Sequence, residues 1–176
     1  MSAPDIPPTY APPLMICLAP SAGPILVVGG GGTGLRKIRT LLGGGMNVDL
    51  VSPYGLPEIE GLAQDGLIEW KRRPVARRDF EEHSFALLAL PRSITIEILT
   101  LAEGTGCLLN CSGASELGGW SLAAQFCTVC ESTSGADGEP FEDGRFVVGV
   151  SSGGRSPAGS AELKRRLQSF LEGERR

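Results

Sequence analysis

At 176 residues, 41% of them hydrophobic, the chain is long enough to bury one ordinary core with a small appendage but not two full domains. Its formal net charge of −4 provides no field to attract nucleic acid, and no apolar run approaches the roughly 18 residues of a membrane span. Met1 to Pro13 lacks the basic and apolar regions of a secretory signal, so a cytoplasmic location is expected, with the five cysteines kept mostly as thiols.

The proline-rich residues 1–13 cannot bury enough surface to order themselves and read as a tail. Leu14 to Leu18 is a short apolar run, suited to an edge strand or to lying over a sheet. Ile25-Leu26-Val27-Val28 is continuous and rich in β-branched residues, the pattern of a strand buried on both faces, and glycine stops it. From Leu35 the period changes. Leu35, Ile38, Leu41 and Leu42 share one helical face while Arg36, Lys37 and Arg39 lie elsewhere. Gly43-Gly44-Gly45 ends that helix, and Val48 to Val51 is a second strand before Ser52-Pro53.

Glu58 to Asp65 reads as a short helix, Ile68 to Trp70 as a strand, and Phe85 to Leu90 as a strongly apolar strand. A helix over Ile94 to Ala102 and a strand over Cys107 to Asn110 follow. Residues 131–144 break the rhythm with an acidic, glycine-containing loop. Phe146 to Val150 returns to strand, and Glu162 to Leu171 is amphipathic, with Leu163, Leu167, Phe170 and Leu171 on its inner side. The expected fold is α/β: a Rossmann-type, mainly parallel sheet with helices on both faces over 14–130, then the acidic loop and a short β/α extension over 145–176.

Gly29-Gly30-Gly31-Gly32-Thr33-Gly34 carries GxGxxG at Gly29, Gly31 and Gly34, between a strand and a helix. Gly29 permits the tight turn, Gly31 lets the backbone approach a pyrophosphate, and Gly34 lets helix and strand pack closely. The acidic residue that usually ends the second strand and binds a ribose is replaced by Ser52-Pro53-Tyr54. Ser52 has a hydroxyl to offer and no arginine adjoins it to clamp a 2′-phosphate, which favours NAD over NADP.

Cys127 and Cys130, with Cys107 and Cys111, offer thiolates, but the spacing is incomplete for zinc or a cluster and Cys107 to Asn110 reads as a buried strand. No metal site is expected, although the Cys127/Cys130 pair leaves a redox or NAD-sensing module as one reading. His83, the sole histidine, is expected in an exposed loop. The acidic loop holds Glu131, Asp137, Glu139, Glu142 and Asp143, which reads as a surface excursion able to lend a carboxylate to a site.

The string Ile25 to Arg39, the glycine-ended helix with Val48 to Pro53, the segment Gly66-Leu-Ile-Glu-Trp70 with its basic sequel, and Val150-Ser-Ser-Gly-Gly-Arg-Ser-Pro157 resemble, in that order, the precorrin-2 dehydrogenase / sirohydrochlorin ferrochelatase family. The likeness covers residues 12–171 in outline. It implies oxidation of precorrin-2 to sirohydrochlorin with NAD, ferrous iron as a further substrate in members that also chelate, and a homodimer. Carried over position by position, Gly32 and Thr33 touch the dinucleotide, Pro53 and Tyr54 border it, and Ser152 lines the tetrapyrrole site. Gly153 and Arg155 of the same loop, and Asn110, are the accompanying substrate candidates; Lys71-Arg72-Arg73 with Arg77-Arg78 reads first as a charge run on a solvated loop, with a basic rim for a polycarboxylate substrate as the alternative.

Three departures stand out. The family's essential aspartate follows an Asn-x-x stem, and here Asn110-Cys111-Ser112 is followed by Gly113. The family's Ala-Ala-Thr-Asp-Asp stretch is replaced by Leu87-Leu-Ala-Leu-Pro91, and the chain stops at Arg176 where the family continues into a helical region. The leading expectation is a dehydrogenase with Ser152 and Arg155 on the tetrapyrrole and its general base unassigned. A catalytically impaired tetrapyrrole- or NAD-binding accessory protein is the alternative that Gly113 raises.

Overall fold

Strand β1 (Ile25–Gly30) is buried along its whole length, as a strand with apolar residues on both faces must be. The computed structural model describes residues 14–129, 145–153 and 155–173, so the expected tail, the acidic loop and Cys130 lie outside the described residues. From β1 the chain runs through α1 (Gly32–Gly43), β2 (Val48–Gly55), α2 (Pro57–Gln64), β3 (Glu69–Lys71) and α3 (Arg77–Glu81). It continues through β4 (Phe85–Leu88), α4 (Arg92–Ala102) and β5 (Leu108–Cys111). These five strands form one parallel sheet in the order β3-β2-β1-β4-β5.

Alternate side chains of a strand face opposite ways. Leu26, Val28, Val51, Ala86 and Leu88 accordingly share a buried cluster with Phe80 of α3 and Ala102 of α4. The intervening Ile25, Val27, Leu50 and Leu87 are also fully buried, on the opposite face. Helix α1 packs along β1 and β2 and buries Leu35, Ile38 and Leu41, three of the four residues the periodicity put on its inner side. The chain divides into two compact units, Leu14–Ser121 and one from Leu122 onward. The second holds β6 (Ala124–Val129), antiparallel to β7 (Arg145–Val150), with α5 (Pro157–Gly173) packed on both.

Several elements differ from the sequence reading. Leu14 to Leu18 forms no strand, and Leu14, Met15 and Ile16 are exposed. Strand β2 runs on through Pro53, which is tolerated because its pairing to β3 ends at Val51. Helix α3 and strand β6 were not foreseen.

His83 is not in an exposed loop but buried, its Nδ1 2.7 Å from the Asp79 carbonyl oxygen and its Nε2 3.2 Å from Asp49 Oδ2. The basic cluster is likewise internal in its pairing. Arg73 grips Asp79 through two hydrogen bonds of 2.7 and 2.6 Å, Lys71 lies 3.4 Å from Asp49, and Arg72 bonds Glu60 at 2.7 Å. Arg77 pairs with Glu81 and Arg78 with Glu82, one turn along. Each of the five cations has a carboxylate partner: Lys71, Arg72 and Arg73 tie β3 and the residues after it to β2, α2 and α3, whereas the Arg77 and Arg78 pairs run along α3 and those side chains stay largely exposed. Burial pushes the Asp79 carboxyl up, but the Arg73 guanidinium and the Ala76 N–H outweigh it and hold it below the usual carboxylate range.

Candidate functional site

The order of the sheet reverses between β1 and β4, and in open α/β sheets a crevice forms there beyond the carboxyl ends of the strands. The glycine loop occupies that point. Gly29 has φ +109°, and a Cβ on it would lie 2.7 Å from the Ala89 carbonyl oxygen; a Cβ on Gly34 would lie 2.0 Å from the Gly29 oxygen. Neither position admits a side chain without moving backbone. Gly31 and Gly32 have nothing within 4 Å of where a Cβ would be, so they face open space.

Gly31 is the N-cap of α1, no side chain caps that end, and the N–H groups of Gly32, Thr33 and Gly34 have no acceptor within the helix. Open glycine backbone, uncapped N–H groups and the positive end of the helix dipole together suit a pyrophosphate. A dinucleotide therefore fits this cradle.

The end of β2 is clamped to the loop by a device the sequence did not reveal. The Gly30 N–H donates to Ser52 Oγ (3.1 Å), the Ser52 hydroxyl donates to the Tyr54 carbonyl (2.6 Å), and Trp70 Nε1 donates to the Ser52 carbonyl (2.9 Å). Gly30 has no room for a Cβ, which would meet the Tyr54 oxygen at 2.3 Å. Ser52 is thus a buried latch, its hydroxyl hydrogen already committed, instead of a group presented to a ribose. Pro53 and Tyr54 are exposed beyond it.

On the other side of the switch point, β4 leads into Ala89-Leu90-Pro91 and β5 into Ser112-Gly113. Gly113 has no left-handed φ; its constraint is space, since a Cβ would lie 2.9 Å from the Leu90 carbonyl oxygen and 3.5 Å from the Arg92 nitrogen. Across these two loops Arg92 pairs with Glu116. The Arg92 hydrogen bond holds the Glu116 carboxyl below its usual range. Asn110 is buried and gives its amide Nδ2 to the Trp120 carbonyl (3.0 Å), and Trp120 in turn packs edge-on against Phe85 with ring centroids 5.8 Å apart.

The remaining substrate candidates lie in the second unit. Ser152 Oγ accepts the Ser156 N–H at 2.8 Å, Gly153 takes φ +65° and donates to Ser151 Oγ, and the exposed Arg155 donates Nε to the Ser152 carbonyl at 3.1 Å. They form one tight turn at the start of α5. Among the cysteines, burial pushes the Cys107 thiol up to about 11 and also raises that of Cys111, with Glu116 adding to the effect. Cys127 is exposed on β6.

A parallel sheet with its glycine loop at the switch point defines a nucleotide-binding chain of Rossmann type. A family model described as "Putative NAD(P)-binding" matches residues 16–124, and the chain belongs to that family. It is 25% identical over 150 residues to the precorrin-2 dehydrogenase of Bacillus subtilis (strain 168), covering 85% of this chain and 83% of that protein. It is 27% identical over 149 residues to siroheme synthase 1 of Serratia proteamaculans (strain 568), covering 84% of this chain but only 28% of that longer protein. Among solved structures, "SirC, precorrin-2 dehydrogenase" has the same fold, with a TM-score of 0.66 and 23% identity over 89% of this chain and 71% of that one. The resemblance to the precorrin-2 dehydrogenase / sirohydrochlorin ferrochelatase family drawn from the motifs agrees with all three.

Proposed function

We propose that the protein oxidises precorrin-2 to sirohydrochlorin with NAD. The observation that carries this reading is the extent of the likeness to the Bacillus subtilis precorrin-2 dehydrogenase, 83% of that enzyme and 85% of this chain, which takes in the second unit as well as the glycine loop. Bound nicotinamide supplies the hydride acceptor. The N–H groups of Gly32, Thr33 and Gly34 hold the pyrophosphate, Gly31 keeps its approach open, and Pro53 and Tyr54 border the adenosine half. Ser52 and Gly29 fix the loop that does this. NAD is favoured because no arginine follows Ser52 in the sequence to bind a 2′-phosphate, and Arg72, stacked over the Trp70 ring that bonds Ser52, is taken up by Glu60.

Ser152, Gly153 and Arg155 hold the tetrapyrrole in this reading, and Asn110 acts from behind by fixing the Trp120 segment against β5. Ferrous iron as a second substrate, a homodimer and a cytoplasmic location complete it. Gly113, standing where the family has its aspartate, favours a second reading in which tetrapyrrole and NAD bind without turnover. Incubating the purified protein with precorrin-2 and NAD decides between them. The expected result is NADH formation in step with the sirohydrochlorin absorption band; saturable tetrapyrrole binding with no NADH establishes the second reading instead.

A further inference from the structure

We propose that Arg92 and Glu116 form a substrate-operated pair: a carboxylate of the tetrapyrrole takes the place of Glu116 on Arg92, and the released Glu116 accepts the proton the substrate gives up. This rests on the dehydrogenase reading above. A dinucleotide held by the glycine loop would lie across the switch point, where β4 and the loop after it border the side away from Ser52. In the loops that follow β1, β4 and β5, Glu116 is the one carboxylate among the described residues, and Arg92, the first residue of α4, is the cation paired with it.

Gly113 lies where the two segments that carry the pair meet. With hydrogen in place of a side chain, the loop after β5 comes so close to Leu90 and Arg92 that a Cβ would sit 2.9 Å from the Leu90 carbonyl. Three residues on, the 3₁₀ turn Ser115–Leu117 then holds Glu116 against Arg92. The loop that loses the family's carboxylate thus carries another. Both side chains of the pair are 56% exposed. Exposed ion pairs contribute little to stability, so a polyanion can open this one at small cost, and arginine is well suited to take a carboxylate in exchange.

The chemistry balances. Oxidised nicotinamide, when bound, would supply the acceptor for the hydride the substrate loses, and a Glu116 carboxylate oxygen takes the proton. The electrons of the bond that released the proton become the new double bond of the macrocycle. While paired, Glu116 is a poor base; Arg92, once occupied by a substrate carboxylate, no longer favours its charged form, and neighbouring substrate carboxylates disfavour it. Proton acceptance is therefore coupled to a correctly seated substrate.

The test uses two variants and two measurements. Titration of the cofactor-free protein with uroporphyrin III, a stable polycarboxylate tetrapyrrole, is expected to show Arg92→Gln binding at least about tenfold more weakly, from loss of a charge-assisted bond. Glu116→Gln should bind as tightly as the parent or tighter, because the competitor for Arg92 is gone. A merely structural pair predicts the opposite for Glu116→Gln, weakening alongside Arg92→Gln. With precorrin-2 and NAD, Glu116→Gln should form NADH about 10²–10⁴-fold more slowly than the parent, with melting temperature and NAD affinity unchanged. Arg92→Gln binding at parental affinity, Glu116→Gln binding more weakly, or Glu116→Gln turning over at the parental rate overturns the proposal. A parent that forms no NADH overturns the dehydrogenase reading and the proton-accepting role together, and the uroporphyrin titration then decides the carboxylate exchange on its own.

Discussion

Two adjacent glycines of the cradle should respond in opposite ways to a side chain. Gly30→Ala puts a methyl 2.3 Å from the Tyr54 carbonyl and 2.8 Å from the Gly55 Cα, both backbone atoms held by the Ser52 latch and the β1–β2 register. Overpacking of this kind costs about 1–3 kcal/mol, and the upper end applies because neither neighbour is a flexible side-chain tip. At about 4 °C per kcal/mol for a unit of this size, the melting temperature should fall by roughly 10 °C. Gly31→Val meets nothing within 4 Å, and its φ of −82° is open to any residue. Its cost is confined to a poorer N-cap, about 1 kcal/mol, while its branched side chain fills the approach to the helix N-terminus. Calorimetric titration with NAD, run beside thermal melts, should show Gly31→Val folded but at least tenfold weaker in binding, and Gly30→Ala destabilised. NAD binding by Gly31→Val at parental affinity would falsify the pyrophosphate assignment, and a parental melt for Gly30→Ala would refute the latch geometry.

Gly113→Asp should lower the melting temperature by several degrees and bring no gain in rate, because its Cβ must push the Leu90 carbonyl away and displace the loop after β4; a stable, faster variant would overturn the packing argument. Asp79 has a carboxyl held below its unfolded value, so its contribution is present above about pH 4 and lost as pH falls through the lower folded value. Asp79→Asn should therefore lose about 2 kcal/mol at pH 7 and much less near pH 3, read from urea melts at both; an equal loss at both refutes the linkage. In the folded protein, the buried Cys111 and the partly buried, high-pKa Cys107 should react with a thiol reagent at pH 8 more slowly than the exposed Cys17 and Cys127, and all should react once urea unfolds the chain; fast reaction of Cys111 would contradict its burial.

The β1, glycine loop, α1 and β2 unit was legible because its signals are local: a period of two giving way to a period near 3.6, with glycine at the junction. The roles of Gly29 and Gly34 followed from that placement. What escaped depends on partners distant in sequence. His83 finds Asp49 from 34 residues away, and Gly30 finds Ser52 from 22. The sequence Arg77-Arg78-Asp79-Phe80 looked like a charge run because nothing local says that Phe80 and Asp79 are fully buried, with Arg73 reaching in to neutralise the acid. Strand β6 has no strong apolar alternation and is defined by its partner β7, sixteen residues further on. Pairing of that kind is invisible to periodicity.

Position 113 and the segment Leu87–Pro91 read in sequence as two separate departures from the family, one a lost carboxylate and the other an exchanged strand ending. In space the two segments are in contact. The Leu90 carbonyl occupies the room that a Cβ at 113 needs, so the loop after β4 can take this course only if residue 113 is glycine, and glycine there is required by that course rather than by a positive φ. Restoring the carboxylate therefore means rebuilding the loop after β4 as well, and a single substitution tests packing more than chemistry. Arg92, at the start of α4, and Glu116, after β5, pair close to this contact. On the proposal made above, this pair stands where the family resemblance puts a carboxylate, and Glu116 is the group that would accept the proton there.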